Sequence, residues 1–406
     1  MTGHLYGRPE TSDLIVVGAG VVGAACAYYA CLFGLDVTVV DRGPVAGGTT
    51  GAGEGNLLVS DKEPGPELQL ALLSTQLWRD LATSLPARVE YERKGGLVVA
   101  STEAGLAALR DFAAGQQRAG VEAAEVPADR LADLEPHLAH GLAGGIHYPQ
   151  DAQVQPALAA AHLLRATALE GNRDGGDRGR LTLRLGEEVT AVLTGSGGAV
   201  RGVRTPRGDL RAPHVVNATG TWGGRLARLA GVELPVLPRR GFVLVTEPLP
   251  RVVRHKVYSA DYVADVASDS AALQTSAVVE GTPAGPVLIG ASRERVGFDR
   301  TLSIEVLRRL ATQATRLFPA LAEVRAIRAY AGFRPYLPDH LPAIGPDPRV
   351  PGLLHACGHE GAGIGLAPAT GLLIAAMLTG REPPLEVTPF APERFTGKAD
   401  EKVRDT

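Results

Sequence analysis

Residues 13–41 constrain this chain more than any other stretch. Asp13-Leu-Ile-Val-Val17 is a short apolar run of the kind buried on both faces of a parallel sheet. It passes at once into Gly18-Ala-Gly20-Val-Val-Gly23, then into an alanine-rich helical stretch that Gly34 stops after Phe33. Asp36-Val-Thr-Val-Val-Asp41 reads as a second strand ending in a carboxylate. Strand, glycine turn, helix, strand and an acid about 20 residues on make a dinucleotide-binding unit. Gly18 permits the tight turn, Gly20 lets the backbone approach a pyrophosphate, and Gly23 lets helix and strand pack closely. The helix N-terminus, where Val22 lies, offers its positive dipole to the phosphates. Asp41 stands where an acid accepts hydrogen bonds from the adenosine ribose and repels a 2′-phosphate.

Several alternatives fall away. Leu14–Phe33 is uncharged, but the acids just outside it and its spaced glycines point to a strand and helix rather than a membrane span or signal peptide. A formal charge of −3 leaves no basic excess for nucleic-acid binding. Cys26, Cys31 and Cys357 are too few and too irregular for a disulfide framework, which fits a cytoplasmic protein. His355-Ala-Cys357-Gly-His359 has alternating ligand-type residues but no further ligands for zinc, so no metal is expected. Gly195-Ser-Gly-Gly198 lies between two β-rich runs and reads as a hairpin turn, leaving a single dinucleotide fingerprint. A length of 406 residues suggests two or three lobes.

After Asp41-Arg42 comes a small-residue loop that includes Gly48-Thr49-Thr50-Gly51-Ala52-Gly53-Glu54-Gly55-Asn56. With this loop the sequence resembles the D-amino-acid oxidase family of FAD enzymes. In that family a loop with Ser or Thr follows the ribose acid and runs along the pyrophosphate and the flavin ring. The resemblance continues through Val215-Val-Asn217-Ala218-Thr-Gly220-Thr-Trp222, with an adenine-side Val189 before it. It continues in Pro238–Pro248, in Leu288–Asp299, in Ala331-Gly332-Phe-Arg334-Pro335 and in Gly358–Gly371, which includes Gly361, Gly363 and Ile364. It implies an α/β fold: a Rossmann-like FAD-binding domain (1–85, 150–230 and 331–395) interleaved with an antiparallel-sheet substrate domain (86–149 and 231–330) of α+β character. Residues 396–406 read as a flexible tail and 171–180 as a polar loop.

The same resemblance implies chemistry. Arg334, expected just after a strand over 324–330, would clamp the substrate α-carboxylate in a bidentate pair. Tyr258, with His255 and Tyr262 near it, and His359 of the flavin loop are expected to join Arg334 as catalytic-site residues lining the pocket. A helix from about Ile364 would point its N-terminus at the flavin and stabilise the charge of its reduced form. FAD is expected to be non-covalent, because Gly51 and Gly332 stand where covalent members carry His or Cys.

Loop positions Glu360-Gly361-Ala362 lack the second basic residue of glycine-oxidase-like members. Glu54 and Glu360 could mark a cationic substrate, such as a basic D-amino acid or an arginine-derived opine, or be solvated loop acids. The implied reaction is oxidation of the C–N bond of a D-amino acid or N-substituted amino acid (glycine, sarcosine, a D-proline-like compound or an opine). Hydride would pass to flavin N5, and the imino acid would become a 2-oxo acid. The electron acceptor would be oxygen, a quinone or a separate iron–sulfur subunit, as in the opine and D-hydroxyproline dehydrogenase branch. A homo- or hetero-oligomer fits this reading. The alternatives are a flavin-binding electron-transfer subunit without its own substrate site and, against the charge balance, an enzyme acting on an aminomethyl group of RNA.

Overall fold

The computed structural model describes residues 11–86, 89–171, 178–260 and 270–396. The 172–177 part of the polar loop, Tyr262 and the tail beyond 396 lie outside the described residues. Two large sheets organise the chain. The first has six strands in the order Ala343–Pro346, Leu353–Cys357, His214–Asn217, Leu14–Val17, Val37–Asp41 and Leu181–Leu185. Leu14–Val17 lies at its centre, parallel to the strands on either side. All four of its residues are buried, as their uniform apolarity requires. Only the Ala343–Pro346 edge strand runs antiparallel.

The helix Val21–Leu32 follows the glycine turn and packs on this sheet beside a second helix, Gly363–Leu378. Their backbones nearly touch: a Cβ on Gly371 would lie 2.5 Å from the Ala25 carbonyl. The later helix contains Pro368, which cannot donate to the carbonyl of Ile364 one turn back. Trp78 of the helix Pro66–Ser84 supplies the missing donor, its indole N–H reaching the Ile364 oxygen at 3.0 Å. A buried tryptophan thus repairs the ladder that the proline breaks, near the helix N-terminus.

The second sheet has eight strands, in the order Ala326–Tyr336, Leu237–Thr246, Val287–Arg293, Gln274–Gly281, Lys256–Ser259, Gly96–Ala100, Gly144–Tyr148 and Ala124–Pro127. Neighbours are antiparallel except where Lys256–Ser259 meets Gly96–Ala100. Its two faces differ in kind. Leu97, Phe242, Leu244, Val257, Val279 and Ile289 pack in one core with the amphipathic helix Ile304–Leu317, which Ser303 caps as its position before Ile304 suggests. Strand alternation sends Gly241, Val243, Lys256, Tyr258, Glu280, Gly290, Gly332 and Arg334 to the other face.

One expectation fails here. Arg334 does not follow a strand; it lies within the eleven-residue strand Ala326–Tyr336, opposite Arg239. Gly332 and Pro335 suggest a turn in sequence, but this is an edge strand, where a residue without an N–H costs no ladder bond.

Candidate active site

A cavity of about 720 Å³ opens between the carboxyl ends of the parallel strands and the glycine-bearing face of the eight-stranded sheet. Carboxyl ends of open α/β sheets are where such folds bind ligands. Gly18, Gly20, Val22, Asp41, Arg42 and Val189 line one end. Gly48, Thr49, Thr50, Ala218, Gly220 and Trp222 line the wall beyond them. Gly53, Gly55, Asn56, Gly332, Arg334, His359, Gly361, Gly363 and Ile364 surround the other end. Gly23 is not among the lining residues. A Cβ there would fall 1.9 Å from the Gly18 carbonyl, so its bareness serves the contact between helix and turn.

The residues present suit an extended dinucleotide. The helices Val21–Leu32 and Gly363–Leu378 begin on the cavity, and neither has a cap from its own N-cap residue or an acid in its first turn. Thr50 Oγ1 accepts from the Val21 N–H at 3.1 Å, leaving the dipole of the first helix facing the cavity. Gly18, at φ 114°, and Gly220, at φ 54°, hold backbone conformations that favour glycine where the chain passes the cavity. Asp41 is fixed by the N–H groups of Ala19 and Gly43, each 2.7 Å from one of its oxygens. Each oxygen keeps a lone pair for a hydroxyl donor.

The far end is stitched together by hydroxyl groups. Thr49 and Thr221 both donate to the carbonyl of Phe333, at 2.7 and 2.9 Å, tying the strand that carries Arg334 to the loops of the first sheet. Arg334 donates from Nη1 to the Ser292 carbonyl at 2.8 Å. Three glycines of the sheet face make room here. A Cβ on Gly241 would meet the Arg334 guanidinium at 2.1 Å, one on Gly290 the Glu54 carboxylate at 2.3 Å, and one on Gly332 the Ala52 methyl at 2.8 Å.

His359 is buried, and burial pushes its imidazole down to about 3, so the ring is neutral at pH 7. Its Nε2 lies 3.0 Å from Thr370 Oγ1, which itself donates to the Leu366 carbonyl. The hydroxyl therefore accepts from Nε2–H, which assigns the tautomer. Glu360, at φ 46°, is held by Arg239 at 2.5 Å and by His340 Nδ1 at 2.9 Å. Burial alone would raise its carboxyl, but these two partners outweigh burial and bring it down to about 2.

A buried relay supports the strand end at Ala218. Asn217 donates to the Gly223 carbonyl and to His355 Nδ1, and His355 Nε2 then donates to Asp347 at 3.1 Å. Burial works to raise the Asp347 carboxyl, but Arg349 and His355 hold it well below its ordinary value. His355 is thereby engaged on both ring nitrogens.

Tyr258 and His255 are elsewhere. Tyr258 does not line the cavity; it is fully buried, its hydroxyl 2.5 Å from Ser60 Oγ, in a network with Asp151. His255 is tied to the buried Glu135. Neither partner is near in sequence, so no local pattern could have shown it. Gly241, Val243, Arg300, Glu187 and Glu188 line the cavity without having been singled out in sequence. For Gly241 and Val243 a signal existed, since alternation along Leu237–Thr246 puts them on one face. Among the described residues no cluster of metal-ligating side chains occurs, and no helix is long and apolar enough to cross a membrane.

Comparison with known proteins agrees with this architecture. Residues 13–377 match the DAO family model, described as FAD dependent oxidoreductase. The chain is 33% identical to glycine oxidase of Pseudomonas aeruginosa, with 93% of this chain and 98% of the relative covered. It is 30% identical to hydrogen cyanide synthase subunit HcnC of the same organism, over 95% and 97% of the two chains. The crystal structure of glycine oxidase from Geobacillus kaustophilus superposes with a TM-score of 0.83 at 27% identity, covering 95% of this chain and 99% of that one. The fingerprint, the two-sheet cavity and full-length relatives converge on one assignment: the chain is an enzyme of the DAO family of FAD-dependent oxidoreductases.

Proposed function

We propose that this enzyme oxidises the C–N bond of an amino acid or N-substituted amino acid, with Arg334 holding the substrate carboxylate. The observation that carries the reading is the position of Arg334. Its guanidinium lies over bare Gly241, at the end of a cavity whose other end is a dinucleotide fingerprint. A planar guanidinium there grips a carboxylate and fixes the bonds next to it in orientation. Relatives named glycine oxidase, similar over nearly their whole length, support the same substrate class.

Gly18, Gly20, Val22, Asp41, Arg42 and Val189 would hold the nucleotide half of FAD. Gly48, Thr49, Thr50, Ala218, Gly220 and Trp222 would border its middle, with Gly53, Gly55, Asn56, Gly332, Gly361, Gly363 and Ile364 around the flavin, held non-covalently. Bound FAD supplies a two-electron acceptor for the substrate's α-hydrogen. The protein's own part is placement: Arg334 orients the carboxylate, Gly332 leaves the sheet face bare, and neutral His359 anchors the loop through Thr370. The open end of the helix Gly363–Leu378 provides dipole for negative charge.

The test is anaerobic bleaching of the holoenzyme's visible flavin absorbance by glycine, sarcosine, D-alanine, D-proline, D-hydroxyproline, D-arginine and octopine, followed by air. Bleaching with prompt recovery in air identifies an oxidase. Bleaching that persists identifies a dehydrogenase that passes electrons to a quinone or a partner subunit. A fully loaded flavin that nothing bleaches would favour an electron-transfer subunit instead.

A further inference from the structure

We infer that Glu54 selects substrates whose side chain or N-substituent carries a positive charge, and disfavours those with a second carboxylate. The inference rests on the amino-acid reading above and narrows it. Five acids line the cavity, and four have a strong partner. Asp41 accepts two backbone N–H groups, Glu187 the Thr205 hydroxyl, Glu188 pairs with Arg225 at 3.0 Å, and Glu360 with Arg239 and His340. Glu54 differs. Among the described residues its Oε1 is buried with no hydrogen-bond partner, and its Oε2 has only the Asn56 amide at 3.4 Å. Glu187 also has an unbonded buried oxygen, but its other oxygen accepts the Thr205 hydroxyl and Arg207 stands 3.8 Å away. The nearby sheet face carries a cation in Lys256, but that ammonium is paired with Glu280 at 3.0 Å. Glu54 as a whole is half-buried, but its Oε1 is withdrawn from water with no donor or counter-charge beside it, an arrangement that a cationic ligand would complete.

The geometry specifies the ligand. Glu54 fills the space above Gly290, and Arg334 the space above Gly241. Leu244 is opposite Ile289, which puts Gly290 level with Val243, two residues along from Gly241 on the neighbouring strand. Such diagonal positions are about 7–8 Å apart. An amino acid with its α-carboxylate on Arg334 would extend over the apolar Val243 and bring a cationic terminus to Glu54. The amine being oxidised does not fit this role, because it must be uncharged to release hydride and an adjacent carboxylate favours the ammonium form. A diacid would bring like charge against Glu54.

The experiment uses the holoenzyme and charge-matched pairs under anaerobic conditions. The pairs are arginine against citrulline and lysine against norleucine, in both enantiomers, with iminodiacetate against sarcosine. Wild type should favour the cation in kcat/KM by on the order of tenfold to a hundredfold, the range for a charge-assisted contact. In Glu54→Gln, which keeps the shape, that ratio should collapse toward one and iminodiacetate should gain on sarcosine. Because each quantity is a ratio within one preparation, a general loss of activity does not affect it. Equal efficiencies within the wild-type pairs, or a preference that survives Glu54→Gln, would overturn the inference while leaving amino-acid oxidation standing. If no amino acid of any charge reduces the flavin, both readings fall together.

Discussion

Glu54 and Glu360 border the same cavity, and both stand in glycine-rich loops, yet the fold treats them in opposite ways. Glu360 is clamped between Arg239 and His340 and held fully ionised. Glu54 has one long amide contact and an orphaned oxygen. A paired buried acid fixes structure, whereas an unpaired one is available to a ligand. The comparison therefore separates scaffold from specificity within one site, although the two residues look alike in sequence.

The first effect that could break this picture comes from the bare sheet face. Gly241→Ala would put a methyl where the Arg334 guanidinium lies, and should cut kcat/KM on the order of a hundredfold or more while FAD content is retained. Full activity in that variant would mean that the guanidinium need not be where it is seen. The next effect is on stability. Glu360→Gln leaves Arg239 buried without its counter-charge and should cost about 3 kcal/mol in denaturant unfolding of the holoenzyme. Glu54→Gln loses no such pair and should leave stability unchanged or slightly raised. Equal losses in the two variants would erase the distinction.

The loop holding Glu360 also has a pH signature. His359 is depressed to about 3 in the folded chain against an ordinary value near 6.5. Between those values the unfolded chain binds the extra proton, so stability falls as pH drops below about 6.5 toward 3. His359→Gln should flatten part of that acid limb, read as the unfolding midpoint against pH. An unchanged limb would show that the buried imidazole does not contribute. A smaller loss than that of Glu360→Gln is expected at Trp78. Trp78→Phe keeps the packing but leaves the Ile364 carbonyl without a donor, costing about 1–2 kcal/mol in the same unfolding assay.

The dinucleotide end was legible in the sequence because its determinants are local: strand, turn, helix and acid lie within residues 13–41. Arg334 was legible as a residue but not as a position. Gly332 and Pro335 suggest a turn, and only the edge placement of Ala326–Tyr336 lets the strand continue through them. The Tyr258 hydroxyl was expected at the pocket, yet it bonds to Ser60, 198 residues away in sequence. The contrast between Glu54 and Glu360 was equally hidden, since it depends on Arg239 lying 121 residues from Glu360. Pattern reveals which groups lie on a face or in a loop; which of them are neutralised depends on partners that only the fold brings in.

The most direct test of amino-acid oxidation at this cavity is rapid-mixing flavin reduction by the best substrate in wild type, Arg334→Ala and Arg334→Lys, each loaded with FAD. The account predicts fast reduction in wild type and a loss on the order of a thousandfold in Arg334→Ala. Lysine should rescue poorly, because its point charge lacks the two-pronged geometry. Reduction of Arg334→Ala at the wild-type rate would contradict the account.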